Sequence, residues 1–131
     1  MYTEKRKKLL RECFRELNKG NSELLMSIFE SDVKWEIIGD TKFSGVFNGL
    51  EEVTEKLLSP LHANLDGGIK IYVDNLFGEH DYITCQGRGE ANTKNKKSYN
   101  NKYCWVYEWR QLKVIKVTEY LDTELVTRCF S

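Results

Sequence analysis

In the stretch Ser98-Tyr99-Asn100-Asn101-Lys102-Tyr103-Cys104-Trp105-Val106-Tyr107-Glu108-Trp109-Arg110, the odd positions hold Tyr99, Asn101, Tyr103, Trp105, Tyr107 and Trp109. The even positions hold Asn100, Lys102, Cys104, Val106, Glu108 and Arg110. Successive side chains of a strand point to opposite faces, so a repeat of two reads as a long strand with one nearly all-aromatic face. Aromatics at this spacing are more often core than ligand platform, but buried phenol, indole and amide groups need hydrogen-bond partners. Such a row suits a flat, partly oxygenated organic ligand. It suits the packing of a dimer interface equally well.

Working outward, the same period holds from Gly67-Gly68 nearly to the end of the chain. It predicts strands over Ile69 to Phe77, Tyr82 to Lys94, Tyr99 to Trp109 and Val114 to Tyr120. Their connections are short: Gly78-Glu79-His80-Asp81, Asn95-Lys96-Lys97 and Arg110-Gln111-Leu112. Connections of that length make the sheet antiparallel. Upstream the period is helical. From Thr3 as N-cap, Leu10, Cys13, Phe14 and Leu17 fall on one helix face, and Asn18-Lys19-Gly20 ends the helix. Ser22 opens a second, short helix through Leu24, Leu25, Ile28 and Phe29, and Val33 to Ile38 reads as a first strand. Phe43 to Gly49 reads as a glycine-punctuated loop, Leu50 to Leu58 as a third helix, and Pro60 as its break or the start of another turn through His62. The layout is α+β, with helices covering one face of a mainly antiparallel sheet. A strongly twisted sheet wrapped around a helix makes a cone, and the open end of a cone is a ready small-molecule cavity.

With 131 residues the chain reads as one domain, residues 1–131, with a single core. Twenty basic and twenty acidic residues cancel, which gives no support to a nucleic-acid or anionic-membrane partner. No window approaches the roughly 20 apolar residues of a membrane span, so the expectation is a soluble, cytoplasmic protein. Cys13, Cys85, Cys104 and Cys129 form no CxxC pair and read as small buried hydrophobes. His62 and His80 lie too far apart to share a helix turn, so no metal site is expected. The run Lys5-Arg6-Lys7-Lys8 reads as the wet face of the first helix.

The chemistry-bearing candidates lie at the end of the last strand. Ile115, Val117 and Glu119 share a face, so Glu119 continues a row that begins apolar. A carboxyl in that setting loses hydration and acquires a raised pKa, as a general acid or base near neutral pH requires. The alternative is a strand-end glutamate turned to solvent or paired with Arg88. Asp122 precedes Thr123 and Glu124 at a C-terminal turn or helix. It is either that helix's N-cap or an acid/base at the cavity mouth, and one position can serve both. On Tyr82 to Lys94, Arg88 and Glu90 read as exposed cross-strand charges, while Gly87 and Gly89 leave room for a helix or a ligand to approach. Gly87-Arg88-Gly89 is half a dinucleotide fingerprint placed within a strand, and is discarded. His62 is near enough to the helical region's end to reach a pocket, although a lone histidine is more often structural or exposed.

Taken in order, several elements resemble the ketosteroid-isomerase-related, SnoaL-like branch of the nuclear-transport-factor-2-like superfamily. These are Trp35, Ser44-Gly45-Val46-Phe47-Asn48-Gly49-Leu50-Glu51-Glu52-Val53, Leu58-Ser59-Pro60-Leu61, Tyr99-Asn100-Asn101-Lys102-Tyr103 and Glu119-Tyr120-Leu121-Asp122-Thr123. The resemblance implies a cystatin-like α+β barrel with a hydrophobic pocket, a homodimer packed through the sheet, and no required cofactor. It also implies an acid/base aspartate at Asp122, and a cavity lined by Trp35, Asn101, Tyr103 and Glu119. Relatives often carry glycine where this chain has Lys96 and Leu112, and either residue at positive φ costs about 1 kcal/mol. Fold alone does not name a reaction. Three functions are carried forward: a cofactor-free isomerase, cyclase or hydrolase/lyase acting on a small hydrophobic carbonyl compound through Asp122 or Glu119; a non-catalytic binding protein; and a dimeric scaffold.

Overall fold

The computed structural model describes residues 1–130. Helix α1 (Thr3–Asn18) opens the chain, with Tyr2 in the capping position and Thr3 already inside the helix. Its inward face is Arg6, Leu10, Cys13 and Phe14. The basic run is thus not all solvated: Arg6 lies one turn before Leu10 on the apolar stripe and is 2% exposed. Helix α2 (Glu23–Ser27) follows, and strand β1 (Phe29–Ile37) begins well before the expected Val33.

The segment expected to be loop contains strand β2 (Gly45–Asn48), antiparallel to β1 with Trp35 opposite Phe47. Residues 50–63 are helical throughout, as α3 (Leu50–Glu52), a π-helical stretch (Val53–Leu58) and α4 (Ser59–Ala63) with Pro60 in its first turn. Strands β3 (Lys70–Glu79), β4 (Tyr82–Glu90), β5 (Lys102–Arg110) and β6 (Lys113–Leu121) form the expected meander. Helix α5 (Thr123–Phe130) closes the described chain.

All six strands join one sheet in the order β2-β1-β6-β5-β4-β3. Every pairing is antiparallel except β1 with β6, which is parallel. That pairing returns the N-terminal strand to the sheet's middle and could not be read from turn lengths. A bulge at Ile115 resets the parity of β6, because Trp109 pairs with Val114 while Glu108 pairs with Lys116. The inward row is therefore Val114, Val117 and Glu119, with Ile115 only half-buried. Bulges of this kind bend a strand and increase its twist, which helps curve the sheet around α1.

Gly87 and Gly89 have a specific use. A Cβ on Gly89 would stand 2.9 Å from Tyr103 Cε2, and one on Gly87 would stand 3.3 Å from Trp105 Cζ3. The group that approaches is therefore neither helix nor ligand: the two rings themselves lie down on the bare backbone of β4. Of the turn residues, Lys96 does take positive φ (67°), while in the last turn Gln111 (φ 54°) does so and Leu112 does not. Each costs about 1 kcal/mol. At Gln111 the carbonyl accepts a 2.8 Å hydrogen bond from Arg6 Nε, which helps hold the turn. Among the described residues, no helix is long and apolar enough to cross a membrane.

Candidate functional site

Between the inner face of the sheet and the helices lies a cavity of about 580 Å³. Phe14 and Leu17 of α1, Leu25 and Met26 of α2, and Leu58 and Leu61 of the 50–63 helix form its helical side. Tyr103, Trp105 and Tyr107 of β5 form its floor, with Ile69 and Ile71 beside them. The floor is flat. Tyr103 stacks on Trp105 at 4.5 Å and 11°, and Phe14 continues the column on Trp105 at 5.6 Å and 23°. Phe29 and Trp35 of β1, tilted at 45° and 5.3 Å apart, make a second aromatic wall.

Glu119 is the carboxylate in this wall. It stands on β6 directly opposite Trp105 of β5 and Ile37 of β1, on the buried face. The Trp105 indole Nε1 donates a 2.9 Å hydrogen bond to Glu119 Oε1. Burial drives its pKa up from 4.5 to about 7, tempered by Trp105 and then by Trp35. Trp35 Nε1 makes no hydrogen bond of good geometry, so its influence on the carboxyl is that of a nearby aligned dipole. The expectation of a dehydrated acid at the end of an apolar row matches this geometry. Arg88 is not its partner: that guanidinium lies on the outer face, 3.0 Å from Asp74.

Tyr103 reaches both this cavity and a smaller one of about 50 Å³ on the far side of Trp35 and Glu119. Burial raises the Tyr103 phenol well above its ordinary pKa, with the Tyr99 hydroxyl and Glu119 adding to the shift. Burial likewise keeps Tyr107 protonated. The smaller cavity adds Thr41 and Tyr99 to the polar surroundings of Glu119.

The remaining sequence candidates separate. His62 lines the cavity from its exposed rim. Asn101 is 1% exposed but lies in neither cavity wall. Its amide clamps the start of α5, with Oδ1 accepting the Asp122 N–H at 3.0 Å and Nδ2 donating to the Asp122 carbonyl at 3.1 Å. Asp122 is exposed and outside both cavities, and its Oδ1 accepts the Leu125 N–H at 3.1 Å as an N-cap. Of the two carboxylates, then, only Glu119 faces the pocket. Trp105, Tyr107 and Phe14 were not among the site candidates. Trp105 and Tyr107 share Tyr103's parity and Phe14 sits on the inward stripe of α1, so periodicity marked them as core without separating core from cavity wall.

No protein-family model and no curated protein matches this chain. Solved structures do. Bal32a, from a soil-derived mobile gene cassette, is 18% identical over 100% of both chains, with a TM-score of 0.86. An NTF2-like protein of unknown function from Burkholderia pseudomallei K96243 is 15% identical over 96% of this chain and 97% of that one, with a TM-score of 0.83. TerC, co-crystallised with polyporic acid, is 17% identical over 92% of this chain and 97% of that one, with a TM-score of 0.78. Identities this low speak for architecture alone, and they agree on it: the chain has the NTF2-like, cystatin-like α+β fold.

Proposed function

We propose that this protein binds a small, largely apolar carbonyl compound and moves a proton on it through Glu119, as the ketosteroid-isomerase-related branch of its fold would imply. One observation carries the reading: a carboxyl titrating at about 7 stands at the wall of an apolar cavity large enough for a small organic molecule. A base of that pKa is half-ionised near neutral pH and can both take and return a proton. Glu119 would remove the proton α to a carbonyl. The neutral Tyr103 hydroxyl would donate to the oxygen on which charge develops, a role its raised pKa suits. Asp122 and Asn101 take structural roles in this reading, holding α5 against the strand end.

The TerC co-crystal supports the idea that this fold accepts a small organic molecule. The test is deuterium exchange at the α-carbons of a bicyclic ketone such as 2-tetralone, followed by NMR in heavy water. The wild-type protein should accelerate exchange over buffer, and Glu119→Gln should lose that acceleration by about 100-fold or more. Binding of the ketone with no acceleration would leave a non-catalytic binding protein. We also infer that a second copy covers the outer face of the sheet. Phe77 (55% exposed) lies there in one cross-strand row with Thr84 and Val106, and Tyr120 (45% exposed) stands in a neighbouring row. Sedimentation equilibrium, with Phe77→Ser as the weakened variant, tests it.

A further inference from the structure

Resting on the reading of the main cavity as a ligand site, we infer that its ligand is an uncharged planar ring compound bearing a hydroxyl, a phenol or an enol, and that the site turns anions away. Planarity follows from the walls. The Tyr103–Trp105–Phe14 column presents ring faces nearly parallel to one another, and Phe29 and Trp35 close the other side.

Charge selection follows from what lines the space. Among the described residues, no lysine or arginine lines either cavity, and the one carboxylate there is Glu119. A carboxylate, sulfonate or phosphate on the ligand would enter with no cation to meet it and with Glu119 opposing it. The lining phenols of Tyr103 and Tyr107 are held neutral, so they add no charge of either sign.

The hydroxyl follows from the oxygen left to the ligand. Glu119 Oε1 is taken by Trp105, whereas Oε2 makes no hydrogen bond and is not sealed from solvent. Ionised, that oxygen only accepts; protonated, it donates. A ligand hydroxyl can answer both states, which matters for a group that changes state near neutral pH. A permanent cation would answer the ionised state alone.

Calorimetry with three probes on one ring system tests this: 2-naphthol, 2-naphthoate and 2-naphthylmethylammonium, each at pH 6 and pH 8. The naphthol should bind at both pH values with less than about a threefold difference. Naphthoate should bind about tenfold more weakly at pH 8 than at pH 6, because a group titrating at about 7 must take up a proton to admit it. In Glu119→Gln, whose amide oxygen can still accept from Trp105, that pH dependence should vanish. Naphthoate binding as tightly as naphthol at pH 8 would overturn the inference, and so would an ammonium probe more than tenfold tighter than naphthol. If the variant fails to fold, the wild-type comparison between the two pH values decides alone. Loss of ketone exchange with naphthol still bound would sink the acid/base reading and leave this inference standing. Failure of all three probes to bind would sink both.

Discussion

Arg6 and Glu119 are the charged side chains buried among the described residues, and they hold their charges in opposite ways. The first helix spans the distance between them, with Arg6 beside Trp109 and the turn at Gln111, and Phe14 stacked on Trp105 next to Glu119. Arg6 is fully engaged. Its Nε donates to the Gln111 carbonyl, its Nη1 meets Asp81 at 3.1 Å, and its guanidinium lies over the Tyr2 and Trp109 rings at 4.9 and 5.8 Å. Glu119 has one good hydrogen bond and an apolar space in front of it. A buried charge with every partner in place fastens a fold, whereas one with a face left open can exchange its proton.

Four measurements would break or sharpen that contrast. Arg6→Ala should cost most, about 3–4 kcal/mol by urea denaturation, through lost packing and the unpaired groups left behind, while ligand affinity stays within about twofold. A loss below about 1 kcal/mol would remove Arg6 from its structural role. Glu119 should behave inversely. Its folded pKa lies above the unfolded value, so stability is full below about pH 4.5, falls as pH rises, and reaches its floor just above pH 7. The span of that loss is about 3 kcal/mol. Glu119→Gln should therefore match the wild type near pH 4.5 and exceed it by up to about 3 kcal/mol at pH 8, and parallel stability curves would refute the shift. Trp105→Phe removes the donor to Oε1 and should move the Glu119 titration upward by roughly one unit, the worth of one hydrogen bond to a charged group, as read by carboxyl carbon NMR. Asp122→Ala should have the smallest effect, about 1 kcal/mol from a lost helix cap, with ketone exchange unchanged. A collapse of exchange in that variant would return the chemistry to Asp122.

The same contrast explains what was legible in the sequence. The four-strand meander, the inward stripe of α1 and the burial of Glu119 follow from local periodicity, and periodicity survives folding because each residue's face is set by its own neighbours. What depended on a distant partner did not show. Strand β2 is four residues long and exists through its pairing with β1, and β1 reaches back to Phe29 because Phe29 pairs with Val114. The bulge at Ile115 shifts parity without any glycine or proline to announce it. Arg6 reads as one more solvated cation until Asp81, Gln111 and Trp109 are brought to it. Asn101 shares its parity with Tyr103, but its amide is taken by the backbone on either side of Asp122.

The π-helical stretch Val53–Leu58 bears on how the cavity's rim could be altered. A π segment is in effect an α-helix with one residue added. Deleting one residue within 53–58 would restore an unbroken α-helix from Leu50 and rotate everything after it by about 100°. Leu58, Leu61 and His62, which now look into the cavity, would swing toward its edge, and the polar Thr54 would keep its place. A one-residue length change in this helix is thus an angular setting for the mouth of the pocket, able to exchange which side chains a ligand meets first while the sheet beneath stays the same.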